Sequence, residues 1–326
     1  MKSFPTWCLN LTLPLFVSRL FLGDAYGNDL PIEILHGVGN YQVVNRDCLE
    51  VVSGTVVHAL REFLLDGVPN LLVVDVDSLK TRVALPSSLE CGNTEYSERE
   101  RHSRFEKALN DSTSAPFPLA NDGVTHSSKN ELGIFLTADL CPAVLEKFET
   151  RFFDALRSIT RQSGIPTPVA LAVSGKWIRE HSADFEEVRK LIARKEIDVT
   201  WMNHSNSHPF HAHAPLNANF LLSPGVNPEL ELIGAEIELL RRAEVPSVFF
   251  RFPGLISSGL WMEKLRNHSL IAIGSDAWLA EGQTPHSGSI ILVHANGNEP
   301  LGIHRFLKNL TEIEALSPFL PLMNLF

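Results

Sequence analysis

A chain of 326 residues, 44% hydrophobic and 20% charged, is long enough for one large α/β core and a smaller accompanying unit. Its 28 basic residues face 38 acidic ones, a net charge of -10, and no lysine/arginine cluster rises above short stretches such as Arg189–Arg194. That balance excludes nucleic acid and anionic membrane surfaces as expected partners, and the absence of any run of about 18 uninterrupted apolar residues excludes a transmembrane helix.

In chain order, residues 1–27 read as an export signal. Lys2 supplies the charge, Leu11–Val17 a mostly apolar core followed by Arg19, and Ala25-Tyr26-Gly27 small residues for cleavage. The expected location is therefore secreted or periplasmic, where Cys48 and Cys91 are permitted a disulfide and Cys141 is left as the odd thiol. Residues 28–91 read as a small α/β region, with strands over 32–35 and 71–76 and a helix over 54–65. Asp75 and Asp77 alternate with valines and fit a solvated strand edge. Residues 92–130 are polar and turn-rich and read as a linker.

From 131 to 326, apolar runs of strand length alternate with amphipathic runs of helix length. The strands are expected at 133–138, 169–174, 198–202, 248–252, 271–275, 290–293 and, less clearly, 316–322; the helices at 142–161, 184–195, 228–243, 258–267 and 301–310. The third helix is well punctuated. Asn227 suits the cap, Pro228 the first position, Glu229 and Glu231 the positive end of the dipole, and Arg241 and Arg242 the negative end. Such alternation predicts a parallel sheet covered by helices, and about seven strand–helix units suffice to close it into a (β/α) barrel.

The reactive face of that architecture is the carboxyl end of the strands. Asp139, His204, His208, Arg251, Asp276 and His294 all fall there. In His204-Ser205-Asn206-Ser207-His208 two imidazoles stand one turn apart, a spacing at which both can grip one divalent ion.

The order Thr137-Ala138-Asp139-Leu140-Cys141-Pro142, the His204–His208 run, Arg251-Phe252-Pro253-Gly254, Asp276-Ala277-Trp278 and Ile291-Leu292-Val293-His294 resembles the five motifs of the polysaccharide deacetylases, carbohydrate esterase family 4, over about residues 132–310. The second motif is intact and the others are partial. The resemblance implies a distorted seven-stranded barrel, a divalent ion (usually zinc), and removal of acetyl groups from the N-acetylated sugars of a glycan. It implies His204 and His208 as metal ligands, Asp139 as catalytic base with Arg251 against it, His294 as general acid held by Asp276, and Trp278 as an apolar wall by the acetyl group. Backbone amides after His204 or near Pro253 would stabilise the oxyanion.

Three departures stand out. Leu140 replaces the second aspartate of the first motif, a metal ligand in the family. Asp139 is the first expectation for the missing ligand, loss of the metal the second and a Cys141 thiolate the third. On this reading Leu140→Asp restores the lost carboxylate and tightens ion binding. Gly254 and Ala138, smaller than the family's residues, are expected to open the pocket. The alternatives are a catalytically silent relative that binds glycan or a partner, and an amidase acting on a small non-sugar amide.

Overall fold

The computed structural model describes residues 35–92, 102–129, 133–142, 148–316 and 318–326; the export signal and most of the strand expected at 32–35 lie outside them. Residues 38–91 form a five-stranded antiparallel sheet of β1 (Val38–Glu50), β2 (Val56–Leu65), β3 (Val68–Asp75), β4 (Thr81–Ala84) and β5 (Leu89–Cys91), in the order β4-β3-β2-β1-β5. The helix expected over 54–65 is instead β2. Val56, Leu60 and Phe63 fall at helical spacing, yet a bulge between Ala59 and Arg61 brings them into one core, while Val57 and Ala59 pack on the other face with Cys48, Leu71 and Val73. A strand buried on both faces loses the alternation that would have betrayed it. The turn into β3 is Asp66-Gly67, both at positive φ, as a tight two-residue hairpin requires. Cys48 and Cys91 lie opposite each other on β1 and β5 and form the disulfide.

The expected linker is ordered where it is described. Ser103 caps α1 (Arg104–Ser112) by accepting the Glu106 amide, and the helix buries Phe105, Ala108 and Leu109. Residues 119–127 then run as a strap against the barrel. There Val124 bridges to Ile273, His126 to Ser289 and Ala120 to Ile256.

Beyond the strap the strand–helix alternation holds. The strands are β6 (Phe135–Leu140), β7 (Thr167–Val173), β8 (Ile197–Asn203), β9 (Phe249–Phe250), β10 (Ile271–Ala272), β11 (Ala277–Trp278) and β12 (Ile290–His294). Around them lie α2 (Thr150–Ser163), α3 (Gly175–Glu180), α4 (Ser182–Ala193), α5 (Pro228–Arg241), α6 (Gly259–Asn267), α7 (Pro300–Lys308) and α8 (Leu310–Glu314). All pairs in the seven-stranded sheet, ordered β10-β9-β8-β7-β6-β12-β11, are parallel, and the sheet curls into a distorted barrel. The seventh strand is β11 rather than the expected run at 316–322, which contributes a single bridge from Phe319 to Ile134. A two-residue strand is too short to show a period. The capping of α5 is as expected: the Asn227 side chain accepts the Leu230 amide and Pro228 occupies the first turn.

Strand periodicity divides the barrel into two cores. On β6, Leu136, Ala138 and Leu140 point outward against Phe152, Phe153 and Leu156 of α2, whereas Phe135 points inward and packs with Ala170, Ala172 and Met202 against β2, β3 and α1. Each large side chain so buried stabilises by roughly 1.5–3 kcal/mol. The antiparallel sheet is also tied to α5 by a buried ion pair, Arg61 Nε and Nη2 donating to Glu236 Oε2 and Oε1 at 2.9 and 3.0 Å, with Tyr41 donating to the same carboxylate at 2.7 Å.

Candidate active site

The same alternation decides which β6 residues face the barrel mouth. Thr137 and Asp139 point inward, and Cys141 follows them at the strand's carboxyl end. Arg251, fully buried at the end of β9, donates from Nη1 to Asp139 Oδ1 at 2.8 Å and Thr137 Oγ1 at 2.7 Å, and from Nη2 to the Gly274 carbonyl at 3.0 Å. One guanidinium thereby links β6 to the segment joining β10 and β11, and its Nη1 holds one oxygen of the carboxylate.

His204 follows β8. Its Nδ1 lies 2.8 Å from the Arg251 carbonyl, which can only accept, so Nδ1 carries a proton and in the neutral ring Nε2 presents a lone pair. Nε2 is buried, has no hydrogen-bond partner and lies 3.5 Å from Asp139 Oδ2. Among the described residues, one donor atom each from Cys141, His204 and His208 lie within 4.8 Å of one another. A buried imidazole lone pair aimed at a thiol and a second imidazole fits a divalent ion. Asp139, the first expectation for the missing ligand, is not in that trio, although its Oδ2 lies 3.5 Å from His204 Nε2. Its Oδ1 is taken by Arg251, and its Oδ2 faces His204 and His294.

The loop carrying the two histidines is held rigidly. Ser205 and His208 are at positive φ, and the carboxylate of Glu231, in the first turn of α5, accepts the amides of Asn206 and Ser207 and the Ser207 hydroxyl. Sequence reasoning gave Glu231 only a place at the helix dipole, because nothing local signals a contact to a loop 24 residues away. The amides of residues 205–208 are all engaged within the loop or by Glu231, so they do not serve as the expected oxyanion donors.

β12 pairs with β6 in a register that sets His294 beside Asp139, with His294 Nε2 3.9 Å from Asp139 Oδ2. The expected support of His294 by Asp276 is not formed. Asp276 faces the seam of the barrel, where Oδ2 meets His126 Nδ1 at 2.7 Å and Oδ1 accepts the Ile290 amide at 2.9 Å. Glu299 takes the supporting role, its Oε2 lying 2.8 Å from His294 Nδ1 and accepting from Trp278 Nε1 at 2.8 Å. Burial would lower the His294 imidazole, but Cys141, Glu299 and Asp139 outweigh it and hold the group well above its ordinary value. Burial would raise the Cys141 thiol, but His208 together with His204 and His294 holds it well below. Its Sγ lies 3.2 and 3.3 Å from the amide nitrogens of Asn296 and Asn298.

Asp139, Cys141, His208, His294, Asn298 and Glu299 line a cavity of about 1210 Å³ whose other walls include Phe210, Leu216, Phe220, Gly254 and Trp278. Pro253 is buried, and the wall beside it is Gly254, Leu255 and Ile256. Gly254 does not leave the opening expected of it, because a Cβ there would stand 2.4 Å from the Phe220 ring, which occupies the space. Ala138 and Leu140 point away from the cavity into the outer core. A side chain at position 140 is directed into that core.

Fold and site together define a distorted seven-stranded (β/α) barrel with a histidine- and carboxylate-lined mouth. Solved structures similar to it include a family 4 carbohydrate esterase from Bacillus anthracis, 18% identical over 63% of this chain and 87% of that one, with a TM-score of 0.46. A family 4 carbohydrate esterase from Bacillus subtilis is 13% identical over 73% of this chain and 90% of its own, with a TM-score of 0.47. The chitin deacetylase of Colletotrichum lindemuthianum is 13% identical over 64% and 95%, with a TM-score of 0.41. No protein-family model matches the chain.

Proposed function

We propose that this chain is a divalent-ion-dependent hydrolase, exported from the cytoplasm, that removes acetyl groups from the N-acetylated sugars of a glycan. The observation that carries this reading is the opposition of a base and an acid beside an unpartnered imidazole lone pair. Asp139 Oδ2 lies 3.9 Å from His294 Nε2 and 3.5 Å from His204 Nε2. The ion, zinc by the resemblance, supplies Lewis acidity toward the acetamide carbonyl when bound. His204 and His208 hold it. Asp139, steered by Arg251, accepts the proton of the attacking water at Oδ2. His294 keeps its proton at Nε2 for the leaving amine, and Glu299 on Nδ1 orients the ring. Trp278, tethered through Glu299, stands as the wall against the acetyl methyl.

A cavity of about 1210 Å³ exceeds the range usual for a drug-sized ligand and suits several sugar units. The Cys48–Cys91 disulfide supports a secreted or periplasmic location, since such bonds persist in oxidising compartments. Among the described residues no helix is long and apolar enough to cross a membrane. The test is release of acetate from N-acetylglucosamine oligomers together with metal content. His204→Ala and His208→Ala are expected to lose the bound ion and acetate release while still folding, because both residues follow the carboxyl end of β8 and pack in none of the apolar cores. A wild-type protein that binds no divalent ion, or variants that keep it, would refute the assignment.

A further inference from the structure

Two of the three protein ligands that a catalytic zinc commonly takes are supplied by His204 and His208. The third must come from a side chain that faces the same point. Position 140 is turned into the outer core. Asp139 keeps Oδ1 on Arg251 at 2.8 Å, and its Oδ2, though 3.5 Å from His204 Nε2, is not grouped with His208 and Cys141 in the trio of mutually close donor atoms. Cys141 does, with Sγ and an imidazole nitrogen from each histidine within 4.8 Å. An ion with about 2.0 Å bonds to nitrogen and about 2.3 Å to sulfur separates its ligand atoms by roughly 3.3–3.6 Å, a contraction that small side-chain rotations deliver.

Two further features suit a metal-bound sulfur. Cys141 and His204 are each 1% exposed, so water competes little for the ion from the protein side. The side-chain amides of Asn296 and Asn298 approach Sγ at 3.2 and 3.3 Å, as outer donors to a thiolate would. The same two amides also donate to the Cys141 and Pro142 carbonyls, so they hold the turn after β6 and the sulfur together.

We infer that Cys141 is the third metal ligand, giving a Cys-His-His site selective for thiophilic ions such as zinc over magnesium or calcium and leaving Asp139 uncoordinated as a base. This rests on the metal-dependent reading above and deepens it. The sulfur compensates for the carboxylate missing at Leu140, two strand positions being needed to return to the inward face.

The test loads the wild-type protein with cobalt(II) in place of zinc. A near-ultraviolet thiolate-to-cobalt charge-transfer band is expected at one ion per chain. Cys141→Ser should abolish the band and weaken zinc by more than about 100-fold in competition with a chromogenic chelator, beyond what losing an outer-sphere partner does. Asp139→Asn should keep the band. Cobalt bound at one equivalent to the wild type without the band would overturn the inference and leave the hydrolase reading standing, as would zinc binding lost in Asp139→Asn and kept in Cys141→Ser. A wild-type chain that binds neither zinc nor cobalt overturns both.

Discussion

Leu140→Asp separates what motif matching implies from what the fold implies. By resemblance the change restores a metal ligand. In the structure Leu140 is fully buried in the outer core with Phe152 and Leu156. Truncating a core leucine costs about 3–5 kcal/mol, and a carboxyl group left there without a partner adds roughly 1–3 kcal/mol even in its neutral form. A total of about 4–8 kcal/mol approaches the whole stability of many domains. The variant is therefore expected to melt roughly 10 °C or more below the wild type, or to fail to fold, with no gain in zinc affinity. Circular dichroism against temperature, followed by chelator competition on whatever remains folded, reads both quantities. A variant that melts with the wild type and binds zinc more tightly would show that position 140 faces the mouth, and the two-faced account of β6 would be wrong.

Three other outcomes follow from the structure. His294 is held protonated above the ordinary imidazole range, so activity should persist into alkaline pH and fall as pH rises through that elevated value. Removing one of the raising partners with Glu299→Gln should move the alkaline limb of the pH–rate profile downward, and an unmoved limb would sever Glu299 from the acid. Glu231→Ala frees two loop amides and a hydroxyl beneath His208, and should weaken zinc about 10–100-fold in chelator competition; unchanged affinity would show the loop to be rigid without it. Glu236→Gln breaks a buried ion pair from one side and leaves Arg61 charged, so urea unfolding should show a loss of about 3–5 kcal/mol, whereas a loss within 1 kcal/mol would mean that water reaches the pair.

The barrel was legible because its strands alternate with well-punctuated helices, and the mouth because Asp139, His204, Arg251 and His294 end separate strands. What escaped was long-range. Glu299 and Glu231 reach the site from helix starts, where a carboxylate already has a local explanation in the dipole. Asp276 sits in the right motif but is drawn off by His126, a residue of a segment that composition marked as linker. Strand β2 hid its period behind burial on both faces. Cys141 was visible as an oddity, but only the pleat of β6 shows that it, and not Leu140, looks into the cavity.

The strap at 119–127 changes where the barrel can be said to begin. The amide of Val124 donates to the Ala272 carbonyl, the amide of Gly274 to the Val124 carbonyl and that of Ser127 to the Gly288 carbonyl. The first two pairings close edge groups of β10 that the parallel ladder leaves open, and the third ties down the loop entering β12. A fragment starting at residue 131 would therefore carry every motif residue and still expose a raw sheet edge, an invitation to pair with a neighbouring chain. The half that carries the site is sealed by its own upstream sequence. In a tree of fragments, the smallest competent piece should be bounded by the strap and not by the first motif.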